Sequence, residues 1–114
     1  MIYKYAFYIK YDRITMYIVK ETKYFVTWLG KQTLKEQAQI QARIIRISSY
    51  GHFGLARKIT DNIAELKWKN GRRVYFTLYI ENDLEIVLLL IGGNKNTQKK
   101  DIFRAKSILK DIID

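Results

Sequence analysis

Residues 63–79, Ile63-Ala64-Glu65-Leu66-Lys67-Trp68-Lys69-Asn70-Gly71-Arg72-Arg73-Val74-Tyr75-Phe76-Thr77-Leu78-Tyr79, read as two strands joined by a short turn. The strands span 63–69 and 72–79. Asn70-Gly71 alone suggests a two-residue type I′ turn. That turn would set Lys67 opposite Val74, on the apolar face. A three-residue loop, 70–72, sets Trp68 opposite Val74 and Leu66 opposite Phe76. Lys69 then meets Arg73, Lys67 meets Tyr75, and Glu65 meets Thr77. One face becomes apolar throughout and the other polar, and register follows the buried face. The expected result is a rigid hairpin with Lys67, Lys69, Arg73 and Tyr75 on one open face. Like charges directly opposite each other are unfavourable, so Lys69 against Arg73 makes sense if an anion sits between them.

Beyond the hairpin, residues 84–91 are apolar on both faces apart from Glu85, which predicts a central strand. Gly92-Gly93-Asn94-Lys95 is expected to end it and lead into a helix capped by Thr97. Helix N-termini attract phosphate through free N–H groups and the dipole, and Lys95, Gln98 and Lys99 would surround such a phosphate. The spacing of a Walker loop is missing. The last helix has an inner face of Ile102, Ala105, Leu109 and Ile112 and an outer face carrying Lys99, Lys106 and Lys110.

Upstream, residues 55–59 read as a strand after a glycine-rich loop, Tyr50-Gly51-His52-Phe53-Gly54. Thr33-x-x-Glu36 is a capping box that opens a long helix. Leu34, Ala38, Ala42 and Ile45 form one apolar stripe, widened by Ile40, Ile44 and Ile47. Gln39, Arg43, Arg46 and Tyr50 fall on the other, solvated side. Thr22 caps a shorter helix with Phe25, Trp28 and Leu29 as its stripe and Gly30 at its end. Residues 16–20 are a short strand, and Tyr3, Tyr5, Phe7, Ile9 and Tyr11 alternate with period two. Two helices, then strands, then a helix predict an α+β arrangement of one sheet with helices packed on it.

The chain of 114 residues is one domain with a balance of apolar and charged residues typical of a folded globule. Lys and Arg number 21 against 11 Asp and Glu, a net charge of +10. Such a charge favours a polyanionic partner. The longest apolar run, 86–91, is far short of the ~20 residues of a spanning helix, and Lys4 and Lys10 interrupt any signal-peptide pattern. There is no cysteine and one histidine, His52, in the glycine-rich loop. Thiolate chemistry is excluded, and no acidic pair at metal-ligand spacing lies in the basic region, so a metal-dependent nuclease is not expected. No metal or other cofactor is called for.

Several segments fall in a familiar order. They are Phe25-x-x-Trp28-Leu29, the loop with Gly51 and Gly54, Lys58, Glu65-Leu66-Lys67, and Gly71-Arg72-Arg73-Val74-Tyr75-Phe76. Leu88-Leu89-Leu90-x-Gly92-Gly93-x-Lys95-x-Thr97-Gln98-x-x-Asp101-Ile102-x-x-Ala105 completes the series. Together they resemble the phage-derived, HigB-like addiction-module killer proteins of the RelE/ParE superfamily, over roughly residues 16–114. The resemblance implies an α+β fold with two N-terminal helices packed on a curved, mainly antiparallel sheet and a C-terminal helix. It implies a cytoplasmic toxin that cuts mRNA on the ribosome without metal and is held inactive by a cognate antitoxin, a small helix-turn-helix protein. DNA would then be met only through the antitoxin complex, and no membrane is involved.

By motif position, Arg73 and Lys95 match basic active-site positions of RelE-like enzymes, and Lys67 matches a third. Lys58, Lys69, Tyr75, Gln98 and Lys99 are the accompanying RNA-binding candidates. Cleavage by 2′-hydroxyl attack needs a base, an acid for the 5′-oxygen and donors for the added phosphate charge. Arg73, permanently charged, suits charge stabilisation, and Lys67 or Lys95 suits proton transfer. Where RelE-like enzymes often carry a tyrosine near the start of the last helix, this chain has Asp101, which leaves the base unassigned. Two other readings fit the same charge: a ParE-like inhibitor of DNA gyrase, and a non-catalytic nucleic-acid-binding module. Residues 1–15 lie outside the resemblance, as a native strand or as an upstream extension with Met16 the true start. A chain beginning at Met16 is expected to melt at nearly the full-length temperature. A loss of several kcal/mol would show instead that the aromatic segment completes the sheet.

Overall fold

The computed structural model describes residues 17–113; the alternating aromatics of residues 3–11 and the Met16 start lie outside the described residues. In chain order the elements are β1 (Ile18–Glu21), α1 (Lys23–Gly30), α2 (Leu34–Tyr50), β2 (Ala56–Lys58), β3 (Ala64–Lys67), β4 (Arg72–Glu81), β5 (Leu84–Asn94), a 3-10 turn (Lys95–Thr97) and α3 (Gln98–Ile113). The strands form one sheet in the order β1-β5-β4-β3-β2. β1 runs parallel to β5, and the other pairs are antiparallel.

This arrangement overturns the expected order of two N-terminal helices packed on the sheet, while three of the four described strand pairs are antiparallel. A strand precedes the helices, the helices are interleaved with strands, and the sheet is covered on both faces. One apolar cluster joins Phe25 and Leu29 of α1 and Ile40 and Ile47 of α2 to Leu66, Val74, Phe76, Val87 and Leu89. The other joins Ala105, Ile108 and Leu109 of α3 to Tyr75, Tyr79, Ile86, Leu88 and Leu90. Burial of each large side chain contributes roughly 1.5–3 kcal/mol, so both layers are held by the same force. β5 sits between β1 and β4, where its two-sided apolar pattern belongs.

Local chemistry sets the element ends. Thr22 accepts from the Phe25 N–H and donates to the Leu90 carbonyl at 2.8 Å, tying the start of α1 to β5. Leu90 is the extra residue of a β-bulge: Tyr75 faces Ile91 while Phe76 faces Leu89. The Thr33–Glu36 capping box forms as the sequence suggests. Asn82 and Asp83, both with positive φ, make the tight β4–β5 turn. β5 continues through Gly92 and Gly93 to Asn94 rather than ending before them.

The hairpin register differs from expectation by two residues. Lys67 faces Arg73, Leu66 faces Val74, Glu65 faces Tyr75 and Ala64 faces Phe76. The loop is residues 69–71, closed by the Trp68 N–H to the Arg72 carbonyl and the Gly71 N–H to the Trp68 carbonyl, both at 3.0 Å. Gly71 sits at φ +97°, in the last loop position where glycine is favoured. A loop of 70–72 would have placed Arg72 there. Turn chemistry therefore chose the register. The faces expected for each side chain survive, because a two-residue slip preserves parity.

The long helix also turns differently from its apparent stripe. Ile40 and Ile47 are buried, whereas Leu34 is 84% and Ile45 57% exposed. Arg43 shares the inward side. Its guanidinium donates to the carbonyls of Phe53, Leu55 and Lys67. It also stacks 4.3 Å from the centroid of the Trp68 ring. Burial, with Arg46 nearby, lowers its pKa to about 10, so it stays charged at neutral pH. Arg43 is thus a clamp joining α2, the 53–55 loop and β3, not a solvated surface charge. Arg43→Ala is expected to destabilise the fold by about 2–3 kcal/mol, since it strands partly buried carbonyls. Arg43→Lys should recover only part of this, because one ammonium cannot reproduce the forked contacts. Thermal denaturation of the two variants is the test.

Candidate functional site

Strand alternation places Arg57 of β2, Glu65 and Lys67 of β3, and Arg73 and Tyr75 of β4 on the α3 side of the sheet. Glu65 is fully buried. A carboxylate in that position needs partners, and three elements supply them. Arg57 meets Oε1 at 3.0 Å through Nη2. Gln98, first residue of α3, donates from Nε2 to both carboxylate oxygens at 3.0 and 3.2 Å. Arg73 Nε lies 3.9 Å from Oε1, and its Nη1 donates to the Arg72 carbonyl at 3.0 Å. Arg73 exposes only 11% of its side chain, held in place from two sides.

The open end of this cluster is cationic. Lys67 stands directly across from Arg73. Lys95 follows β5, and its backbone N–H donates to the Gly71 carbonyl at 2.7 Å. The stem of Lys95 lies over Gly71, about 3.3 Å from where a Cβ would be. Lys69 is exposed in the hairpin loop. The structure therefore brings Arg73, Lys67 and Lys95 to one end of the sheet, with Arg57 and Lys69 beside them. Such a constellation can hold an anion and stabilise added charge on it.

Other candidates lie elsewhere or are already engaged. Tyr75 is fully buried beneath α3, so the face expected to be open is covered at that position. Gln98 spends its amide on Glu65. Lys58 occupies the opposite face of β2 from Arg57 and pairs with Asp61 at 3.4 Å. Lys99 is exposed on the first turn of α3. The helix start is not an empty phosphate cradle. Asn94, rather than Thr97, is the cap, accepting from the N–H groups of Asn96 and Thr97. Thr97 also donates to Asp101, whose carboxylate packs over Gly93 where any Cβ would collide with it. Gly92 likewise leaves room for the Trp28 ring. The glycine pair serves close packing on the two faces of β5.

Arg57 and Glu65 escaped the sequence reading as site residues. The only signal was a lone acid on a strand otherwise facing the core or carrying cations, and a face assumed open makes such an acid look solvated. His52 is exposed, in the loop that α2 leads into, with its N–H bonded to the Arg46 carbonyl.

Burial is the main force raising the Tyr75 phenol above its ordinary value of 10.0, with the carboxylates of Glu65 and Asp101 adding to it and Arg73 opposing. The folded protein thus holds this proton more tightly than the unfolded chain. Stability from this source is full below pH 10 and is lost as the pH rises above it. Tyr75→Phe is expected to move the alkaline unfolding midpoint upward, since it removes the buried phenol whose ionisation opposes folding. An unchanged alkaline midpoint in a pH series of melts would assign the alkaline transition to another group.

No protein-family model matches the chain, and no solved structure matches it. It is 38% identical over 96 residues to an uncharacterized protein of Haemophilus influenzae, an alignment covering 82% of this chain and 94% of that protein. This chain belongs to the same family as that Haemophilus influenzae protein.

Proposed function

We propose that this protein is the toxin of a type II toxin–antitoxin pair and an endoribonuclease acting on mRNA, as its resemblance to HigB-like killer proteins of the RelE/ParE superfamily implies. The observation that carries the reading is Arg73, oriented by buried Glu65, with Lys67 across from it and Lys95 over the adjoining turn. The chemistry is transfer within the RNA strand. The ribose 2′-hydroxyl gives its proton to a base of the site or to water and its oxygen bonds to the adjacent phosphorus, the bond to the 5′-oxygen breaks, and a 2′,3′-cyclic phosphate and a 5′-hydroxyl result. Arg73 takes up charge on the phosphate oxygens. A lysine, Lys67 or Lys95, protonates the departing 5′-oxygen. The reading also takes the protein to be cytoplasmic, with a cognate helix-turn-helix antitoxin and the ribosome as partners. No helix among the described residues is long and apolar enough to cross a membrane, which is compatible with it.

Arg73→Ala is expected to slow cleavage by about 10²–10³-fold, the typical loss of one preorganised donor. Lys95→Ala and Lys67→Ala, which leave the cores untouched, should each reduce it as well. The measurement is growth arrest on induction together with mapping of cut message ends, with thermal melts to show that each variant is folded. Cleavage should persist in EDTA. Folded Arg73→Ala and Lys95→Ala proteins that arrest growth like the wild type would remove the proposed active site. Growth arrest with intact message and trapped gyrase would replace this reading with the ParE-like one.

A further inference from the structure

The Glu65 cluster does not end at Arg73. The first turn of α3 carries Gln98 into it, and one turn later Asp101 packs over Gly93, the β5 partner of Arg73. Asp101 also lines a second feature, a cleft of about 610 Å³ around the end of β5, between α1 and α3. Its walls interleave rings and cations. Tyr24 and Trp28 of α1 face Phe103 of α3, and Lys23, Lys100 and Arg104 surround them. Phe103 is 73% exposed, so its ring is open to a ligand at the mouth of the cleft. Arg104 lies 5.1 Å and Lys23 5.2 Å from the centroid of the Tyr24 ring, so the ring already carries cations over it.

We propose that this cleft is a subsite for one nucleotide of the RNA strand, its base stacked among Tyr24, Trp28 and Phe103 and its phosphate held by Lys23, Lys100 and Arg104. The proposal rests on the RNA-directed reading above and adds where the strand runs as it leaves the cationic end of the sheet. A volume of this size suits a single nucleotide, within the range of small-ligand sites. Aromatic faces set among cations are the means by which proteins hold single strands without reading sequence. Asp101 lines the cleft together with Lys23, Lys31, Lys100 and Arg104, so the wall toward the ligand is cationic overall. A helical peptide, the rival occupant, needs a longer groove with a continuous apolar stripe.

The test is anisotropy of a fluorescein-labelled, 2′-O-methyl hexaadenylate, which cannot be cut, with the full-length protein. Phe103→Ala is expected to weaken binding about tenfold, the scale on which a stacked base depends on its ring. Lys100→Ala with Arg104→Ala should weaken it and lower the salt dependence of log Kd by up to about 0.7, the value of the one phosphate contact that the two cations share. Lys106→Ala with Lys110→Ala, on the same helix outside the cleft, should leave Kd within about twofold. Equal losses in both pairs would mean bulk charge alone and overturn the subsite. So would wild-type binding by the Phe103 variant, even if Arg73→Ala abolishes cleavage, which would leave the nuclease standing without this cleft. Conversely, lost binding by cleft variants of a protein that cuts no RNA would keep the subsite and remove the nuclease. If the cleft variants instead lose a helical Leu/Glu peptide and keep the oligonucleotide, the cleft belongs to a protein partner and the proposal falls.

Discussion

Glu65 carries a carboxylate with none of its surface in water, and such a group persists only where donors and cations surround it. Its partners come from β2, β4 and α3. Arg57 approaches from the sheet edge, Arg73 from the neighbouring strand, and Gln98 from the first residue of the last helix. One buried charge thereby fixes where α3 begins and holds the Arg73 guanidinium at the end of the sheet. Two guanidiniums and one amide share this single carboxylate, so these contacts act as a unit rather than as separate bonds.

The opposite face solves a similar problem with a different residue. Trp68 lies near the guanidiniums of Arg43 and Arg72, at 4.3 and 5.6 Å from its ring centroid. Arg72 is 5% exposed and reaches Glu36 at 3.1 Å and Gln39 at 3.2 Å on α2. Consecutive arginines on β4 thus point to opposite layers: Arg72 binds the sheet to α2, and Arg73 joins the Glu65 cluster beneath α3. Their neighbourhood on the chain conceals two unrelated tasks. Of the net charge of +10, part is internal scaffolding and part stands exposed at the surface.

Backbone geometry at the end of the sheet brings these charges into one place. Gly71 permits the three-residue turn that sets Lys67 across from Arg73. The bulge at Leu90 shifts the β5 register before Gly92 and Gly93 pass under Trp28 and Asp101. Side chains on those glycines would push α1 and α3 away from the strand. The cleft between the helices and the cluster around Glu65 are therefore two consequences of one closely packed strand end.

Strand parity, the two helix caps at Thr22 and Thr33, the central two-sided strand and the basic excess were legible in the sequence, because each depends on near neighbours along the chain. Arg73, Lys67 and Lys95 could be named as candidates on the same basis. The layer covering the α3 face, the inward turn of Arg43 and the burial of Tyr75 and Glu65 were not legible. They depend on which face α3 packs against and on the parallel pairing of β1 with β5, contacts between residues far apart in the chain. Periodicity reports that a residue shares a face with another, and it carries no information on what comes to cover that face. Only the packed tertiary structure decides whether an alternating polar row meets water or a helix, because that choice is made by apolar surface elsewhere in the chain seeking burial.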